Sequence, residues 1–340
     1  MGVPLHRDYI IRSPGRQAGC QFAAKATCRY TSGNGGLCGV RSCEGEVGVK
    51  GELVRVWTED ELQLQGLHCT GQELSGLLAV LHIHGASSNF YRSQFLDRLA
   101  DGLTDRGYSF LSGNTRGHDI INNVYAKDPT ASRRIGVAFE IFEDCLLDVK
   151  AWLGFLQAHG YEQAVLLGHS FGASKVAYYQ SETADERVKA LIFMSPADQG
   201  FWLEAAGAEA QRALTWAKDM VSEGREEALF SGPLIPYPMS AATIRSLFVE
   251  SKSDIFRFGR PDEPWQTIAK LRCPMLALMG TVAELTAPNP EEALAVLKSK
   301  ALSSPRCDTV VLQGAPHNYR GYEAQVTESI INWLEESFAS

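Results

Sequence analysis

The chain has 340 residues, with 32 Lys and Arg against 40 Asp and Glu for a net charge of −8. The two signs are interspersed and no basic block occurs, which argues against nucleic acid or an anionic membrane surface as a partner. No apolar run approaches the roughly 18 residues of a membrane span, and the first 30 residues lack the apolar stretch of a secretory signal. The expectation is a cytoplasmic protein with a small-molecule partner, self-association being left open.

Residues 1–50 are rich in Gly, Arg, Ser and Cys without periodicity and read as an irregular extension. Cys20, Cys28, Cys38 and Cys43 fall there without the paired C-x-x-C spacing of a zinc site. Cys69, Cys145, Cys273 and Cys307 are scattered and read as reduced thiols, so neither metal nor cofactor is expected. Leu53–Trp57 and Leu62–Leu67 alternate apolar and polar residues around a Thr-Glu-Asp turn, the pattern of an antiparallel hairpin. Leu77–Ile83 is a nearly continuous apolar strand suited to burial on both faces.

Helical and strand patterns then alternate: a helix over 93–106, a strand over 108–111, and a helix over 141–158 with Leu146, Val149, Leu153 and Leu156 as its apolar face. A strand over 164–167 leads into a helix, and strands follow at 190–194 and 275–279. The last units are a helix near 291–298, a strand over 309–312, and a helix burying Val326, Ile330, Trp333 and Leu334. This order predicts an α/β fold: an open, mostly parallel, doubly wound sheet over 51–198 and 272–340, with an antiparallel start. Chemistry in such sheets sits beyond the carboxyl ends of the strands. Residues 199–271 break the alternation, being helix-like and rich in aromatics such as Phe201, Trp202, Trp216 and Trp265. A helical cap is expected there, because structureless loops of that length are rare. Most of its aromatics should build the cap's own core, with Trp202 a candidate substrate contact.

Gly168-His169-Ser170-Phe171-Gly172 stands between the apolar run 164–167 and the helix opening at 173. Strand, tight turn and helix with Ser170 at the apex form a nucleophile elbow, in which the flanking glycines permit close packing. A serine hydroxyl needs an adjacent base. His317, in Gln313-Gly314-Ala315-Pro316-His317 after a late strand, fits best; His169 lies too close in sequence to bend back onto Ser170. His82-Ile83-His84-Gly85-Ala86 ends a buried strand, and its turn offers the Ala86 N–H, with that of Phe171, as an oxyanion hole. His-x-His also invites a metal, yet Gly-Ala-Ser follows instead of Asp-His, so His84 reads as structural rather than catalytic. His84, Gly85 and His169 join Trp202 as candidate substrate-binding residues.

These motifs resemble the α/β-hydrolase fold superfamily from about residue 52 to the C-terminus, through His84-Gly85, the elbow at Ser170 and Gly314-Ala315-Pro316-His317. Asn114-Thr115-Arg116-Gly117-His118-Asp119 is similar to that superfamily's Asp-x-Arg-Gly-x-Gly loop, with Asn114 for its first Asp and Asp119 for its last Gly. The wording around His84 and Arg116 is similar to a branch that includes fungal siderophore esterases. The resemblance implies a third residue, an acid, usually three after the glycine that ends the strand before the last. Gly280 plus three is Ala283, whereas the family's Asp-x-x-x-Pro spacing lands on Glu284, four before Pro288. Asp198, after the preceding strand, is the rival position; its competing reading is a helix N-cap or turn residue. The implied activity is serine hydrolysis of a carboxylic ester of a small to medium, partly apolar substrate. Amide, thioester or C–C cleavage uses the same residues, and a ligand-binding protein of low turnover on this scaffold is the rival from another class.

Overall fold

The computed structural model describes residues 50–71, 78–128, 130–232, 237–250, 252–282, 284–286 and 289–338. By its contacts the chain divides into residues 1–40 and 41–340, and every described residue belongs to the second unit. The expected irregular extension with its four cysteines, except Lys50, lies outside the described residues, as do Leu77, Ala283 and Pro288.

In chain order the elements begin with strands β1 (Glu52–Trp57), β2 (Gln63–Cys69) and β3 (Leu78–Ile83), helix α1 (Phe95–Asp105) and strand β4 (Ser109–Gly113). A hairpin of β5 (Asn122–Tyr125) and β6 (Ser132–Ile135) precedes α2 (Cys145–Ala158), then β7 (Gln163–His169), α3 (Phe171–Thr183) and β8 (Val188–Met194). Next come α4 (Gln199–Ala205), α5 (Gly207–Ser222), the two-residue strands β9 (Leu229–Phe230) and β10 (Met239–Ser240), α6 (Ala241–Ile244) and α7 (Gln266–Lys270). The chain closes with β11 (Met275–Val282), α8 (Pro290–Lys300), β12 (Cys307–Pro316) and α9 (Glu323–Phe338).

Eight strands form one sheet in the order β1-β2-β4-β3-β7-β8-β11-β12. β1 and β2 are antiparallel, β2 runs antiparallel to β4, and every later pairing is parallel. The period of two in a strand explains why two cores result. Ala79, Leu81 and Ile83 of β3 and Leu166 of β7 enter one core with Val149, Trp152 and Val176 of α2 and α3. Leu78, Val80, Val165 and Leu167 enter the other, beneath Leu99, Leu103, Ile330 and Leu334 of α1 and α9. Each such fully buried aliphatic side chain contributes about 1.5–3 kcal/mol. No helix of the described residues is long and apolar enough to cross a membrane.

The structure departs from the sequence pattern in four places. The helix expected from residue 141 starts at Cys145, after a 3₁₀ turn over Phe142–Asp144. The β5–β6 hairpin was not foreseen; its exposed Arg133 and Arg134 and short strands leave little apolar alternation to read. The last strand is longer than 309–312: instead of looping at Gly314, β12 runs on to Pro316, beside an irregularity between Gly280 and Val282 of β11. The described residues of 199–271 hold the sixteen-residue α5 and the shorter α4, α6 and α7, with a π-turn over Arg245–Val249 and the small β9–β10 pair.

Candidate active site

Ser170 ends β7 and heads α3, with φ 55° and ψ −122°. A non-glycine residue held there is strained and persists only where its surroundings over-determine it. They do so here: its N–H donates to the Met194 carbonyl at 2.8 Å and its own carbonyl accepts from Ala173 N–H at 2.9 Å. A Cβ on Gly168 would lie 2.3 Å from the Gly172 carbonyl oxygen, and one on Gly172 would lie 2.1 Å from that of Ile83. Both glycines of the pentapeptide are therefore demanded by contact with backbone that cannot give way. Gly85 is pressed less tightly, a Cβ there meeting Ser170 Cβ at 2.9 Å.

His317 follows β12 directly and Glu284 lies just past β11. Nδ1 of His317 is 2.8 Å from Glu284 Oε2. An ionised carboxylate only accepts, so Nδ1 carries the proton and Nε2 is left as the basic nitrogen. The other carboxylate oxygen, Oε1, accepts from Gly280 N–H at 3.0 Å and from Ser195 Oγ at 2.8 Å. Tyr319 Oη stands 2.7 Å from Ser195 Oγ and donates to the Leu278 carbonyl at 3.0 Å. The Glu284 side chain is 3% exposed and that of His317 22%, so the carboxylate is sealed while the imidazole meets the cavity. Burial, with the Glu284 charge adding to it, pushes the Tyr319 hydroxyl well above the usual range and keeps it protonated. Ser195 (φ 44°) and Tyr319 (φ 55°) are both held in the left-handed region. Neither was singled out from the sequence, because a serine at a strand end and a tyrosine two residues past His317 carry no pattern of their own.

The two candidate acids separate cleanly. Asp198 caps α4: its Oδ1 accepts from Phe201 N–H at 2.9 Å and its Oδ2 from Gly259 N–H at 3.0 Å. Both oxygens are engaged away from His317, as the N-cap reading required.

His84, expected among the substrate-binding residues, is turned away from the cavity. Its Nδ1 donates to the Gly85 carbonyl at 2.8 Å and its Nε2 accepts from Thr115 N–H at 3.0 Å. Burial, reinforced by the nearby Lys175 ammonium, holds its basicity well below the ordinary value and keeps the ring neutral. Lys175 is itself fully buried, paired with Glu140 at 2.5 Å and donating to Thr115 Oγ1 at 3.0 Å. His82 bonds elsewhere, with Nδ1 2.8 Å from Ser112 Oγ, so the two histidines do not converge on a common point. His169 lines the cavity and its Nε2 donates to the His317 backbone carbonyl at 2.9 Å. Burial, and then the proximity of His317, lowers its pKa to about 3, so the ring bonded to the His317 backbone is neutral.

The loop Asn114–Asp119 is bonded to residues 88–90, which follow the Gly85 turn. Asn114 Oδ1 accepts from Phe90 N–H at 3.0 Å, and Asp119 Oδ1 accepts from Asn89 Nδ2 at 2.7 Å. The buried Arg116 anchors the loop through Asp148 at 2.9 Å, Asp144 at 2.9 Å and Asp60 at 3.1 Å. A guanidinium buried this deeply is tolerated because several carboxylates share it. Asn114 in place of an acid suits this role, since a backbone N–H needs only an acceptor.

Ser170, His317, Ala86, Phe171, Gly85, His169 and Trp202 all line one cavity of about 690 Å³. That volume suits a small to medium ligand. Phe171 is the first residue of α3, so its N–H has no acceptor one turn back and is available to a ligand. Val137, Met239, Leu247 and Leu285 add apolar wall that the sequence reading did not name.

Residues 79–230 match the family model for the α/β hydrolase fold. Among solved structures, Est1E from Butyrivibrio proteoclasticus is similar at 16% identity and a TM-score of 0.55, over 85% of this chain and 99% of that one. The Pyrococcus furiosus esterase PF2001 is similar at 17% identity and a TM-score of 0.54, over 85% and 91%. DcsB, solved in complex with its substrate analogue, reaches a TM-score of 0.62 at 15% identity, over 85% and 100%. Identities this low show a shared fold. No curated protein matches the sequence.

Proposed function

This chain is an α/β-hydrolase-fold protein, and on that premise we propose that it is a serine hydrolase cleaving a carboxylic ester through an acyl-enzyme on Ser170. The observation that carries the proposal is the 2.8 Å pairing of His317 Nδ1 with Glu284, at the wall of the cavity that Ser170 also lines. Nucleophile, base and acid come from the ends of three different strands, an arrangement with no structural necessity of its own.

In this reading His317 Nε2 removes the Ser170 proton as Oγ attacks the ester carbonyl, while Glu284 holds the imidazole in its Nδ1–H tautomer and stabilises the imidazolium. The N–H groups of Ala86 and Phe171 take the oxyanion, each such donor contributing about 3 kcal/mol to the transition state. His317 returns the proton to the leaving alcohol, then activates the water that releases the acid. Residues 199–271 act as a cap, supplying Trp202, Tyr237, Met239 and Leu247 to the apolar side of the cavity.

The test is covalent. A fluorophosphonate is expected to label the wild-type protein once and to leave a folded Ser170→Ala variant unlabelled and inactive on short p-nitrophenyl esters. Failure of folded wild type to label, or turnover by Ser170→Ala, overturns the assignment.

A further inference from the structure

The side chains lining the cavity that holds Ser170 fall into two chemical groups. One is apolar, made by Val137, Trp202, Tyr237, Met239, Leu247 and Leu285. The other is polar: Arg92 and Gln94 from the segment after the Gly85–Ser88 turn, Gln199 from the start of α4, and Asn318 and Arg320 from the loop of His317. Not one Asp or Glu lines the cavity among the described residues. That is unexpected in a chain of net charge −8.

Among the described residues most other arginines are matched to carboxylates, Arg187 to Asp185 at 2.6 Å, Arg260 to Asp254 at 2.7 Å and Arg116 to three acids, with Arg55, Arg98 and Arg272 as exceptions away from the cavity. Arg92 and Arg320 have no ion pair among the described residues. Arg92 is instead set by its Nη1, which donates to the Ser87 carbonyl at 3.2 Å on the oxyanion turn. The Arg320 backbone N–H donates to Asn318 Oδ1 at 3.3 Å, within three residues of the base. An unpaired guanidinium presents a planar fork of donors matched to the two oxygens of a carboxylate or phosphate. A cleft lined by one sign of charge also concentrates ligands of the opposite sign.

The geometry points to an ester whose alcohol portion carries an oxyanion, carboxylate or phosphate, and whose acyl portion is apolar. This rests on the hydrolase reading for the word ester. The polar wall belongs to the leaving group because Arg320 shares the loop of His317, the residue that returns the proton to the departing alcohol. The apolar wall then takes the acyl chain.

Three hexanoate esters test it: those of 4-hydroxyphenylacetate, of 4-hydroxyphenyl phosphate and of methyl 4-hydroxyphenylacetate, the last being neutral. The expected result is a kcat/KM at least about ten-fold higher for one or both anionic esters than for the neutral one, a charge-assisted contact being worth that much. Which anion leads separates carboxylate from phosphate. The ratio should collapse in Arg92→Gln and Arg320→Gln, with melting temperatures reported for both variants, and should shrink in 0.5 M salt. Equal kcat/KM for all three esters, or a preference untouched by both substitutions, overturns the inference. A second measurement needs no turnover: binding of phenyl phosphate and of phenylacetate, against neutral benzyl alcohol, by ligand-observed NMR. Anion binding that both substitutions weaken upholds the charged wall even if fluorophosphonate labelling fails; no preference for the anions refutes it even if labelling succeeds.

Discussion

Replacing Glu284 by Gln is the sharpest probe of the triad, because the carboxylate receives three donors at once. His317 Nδ1 lies 2.8 Å from Oε2, while Gly280 N–H at 3.0 Å and Ser195 Oγ at 2.8 Å meet Oε1. Gln has a single acceptor oxygen. With that oxygen toward His317, the amide NH₂ would face the Gly280 N–H, leaving a buried donor unpaired at a cost of about 1–3 kcal/mol. The amide therefore settles with its oxygen on Gly280 and its NH₂ on His317. Nδ1 must then accept, which moves the proton to Nε2 and removes the base that Ser170 needs. Loss of the correct tautomer costs serine triads about 10⁴ in kcat, equivalent to about 5 kcal/mol of transition-state stabilisation. Steady-state hydrolysis of p-nitrophenyl butyrate should therefore fall by roughly 10³- to 10⁴-fold, with KM little changed. Asp198→Asn gives the contrast. It strands one of the two backbone N–H groups on Phe201 and Gly259, lowering stability by about 1–2 kcal/mol while kcat stays within roughly three-fold. A Glu284→Gln enzyme within ten-fold of wild type, or an Asp198→Asn enzyme folded but inactive, refutes the assignment of the acid.

Two further perturbations test the surroundings of the triad. Ser195→Ala removes one of the three donors to Glu284, and kcat should drop about ten-fold, the worth of a hydrogen bond to a charged group, at unchanged KM; a kcat equal to wild type would show that Gly280 and His317 suffice to hold the carboxylate. Stability should also fall in acid. His82 and His169 are pulled to about 3 by burial, each with a neighbouring histidine as the lesser cause, and His84 is lowered in the same direction. Their folded pKa values lie below the unfolded value of 6.5, so the unfolded chain takes up protons first. Stability is complete above about pH 6.5 and is lost as pH falls from there toward 3, by up to about 1.4 kcal/mol per unit for each histidine. Urea unfolding at pH 7, 6 and 5 measures this, and a curve flat over that range would mean the rings are hydrated.

What could be read along the chain was what depends on near neighbours. The elbow was legible because its reasons are local: an apolar run, then a serine between glycines that make way for the backbones of Ile83 and Gly172. The sheet was legible because β3, apolar except at His82, and the Ala164–Leu167 run of β7 must be covered on both faces. His317 could be chosen among eight histidines because it stands after a late strand.

The rest depends on which groups the fold brings together. Glu284 and Asp198 are both acids just past a strand of the sheet, and the spacing to Pro288 favoured Glu284 without showing which one reaches His317. The structure separates them by a plain count of acceptors: both oxygens of Asp198 are engaged by N–H groups, one of them 61 residues away, whereas Glu284 keeps an oxygen for the imidazole 33 residues on. His84 looked like a cavity residue from its place beside Gly85, and only the position of the Thr115 N–H, 31 residues distant, turns its ring inward. Strand, turn and helix follow from backbone preferences of adjacent residues, and the sequence by itself determined them here. Hydrogen-bond partners are assigned by packing, so the contact of Glu284 with His317, its neighbours Ser195 and Tyr319, and the cavity arginines without an ion pair among the described residues were decided only by the tertiary structure.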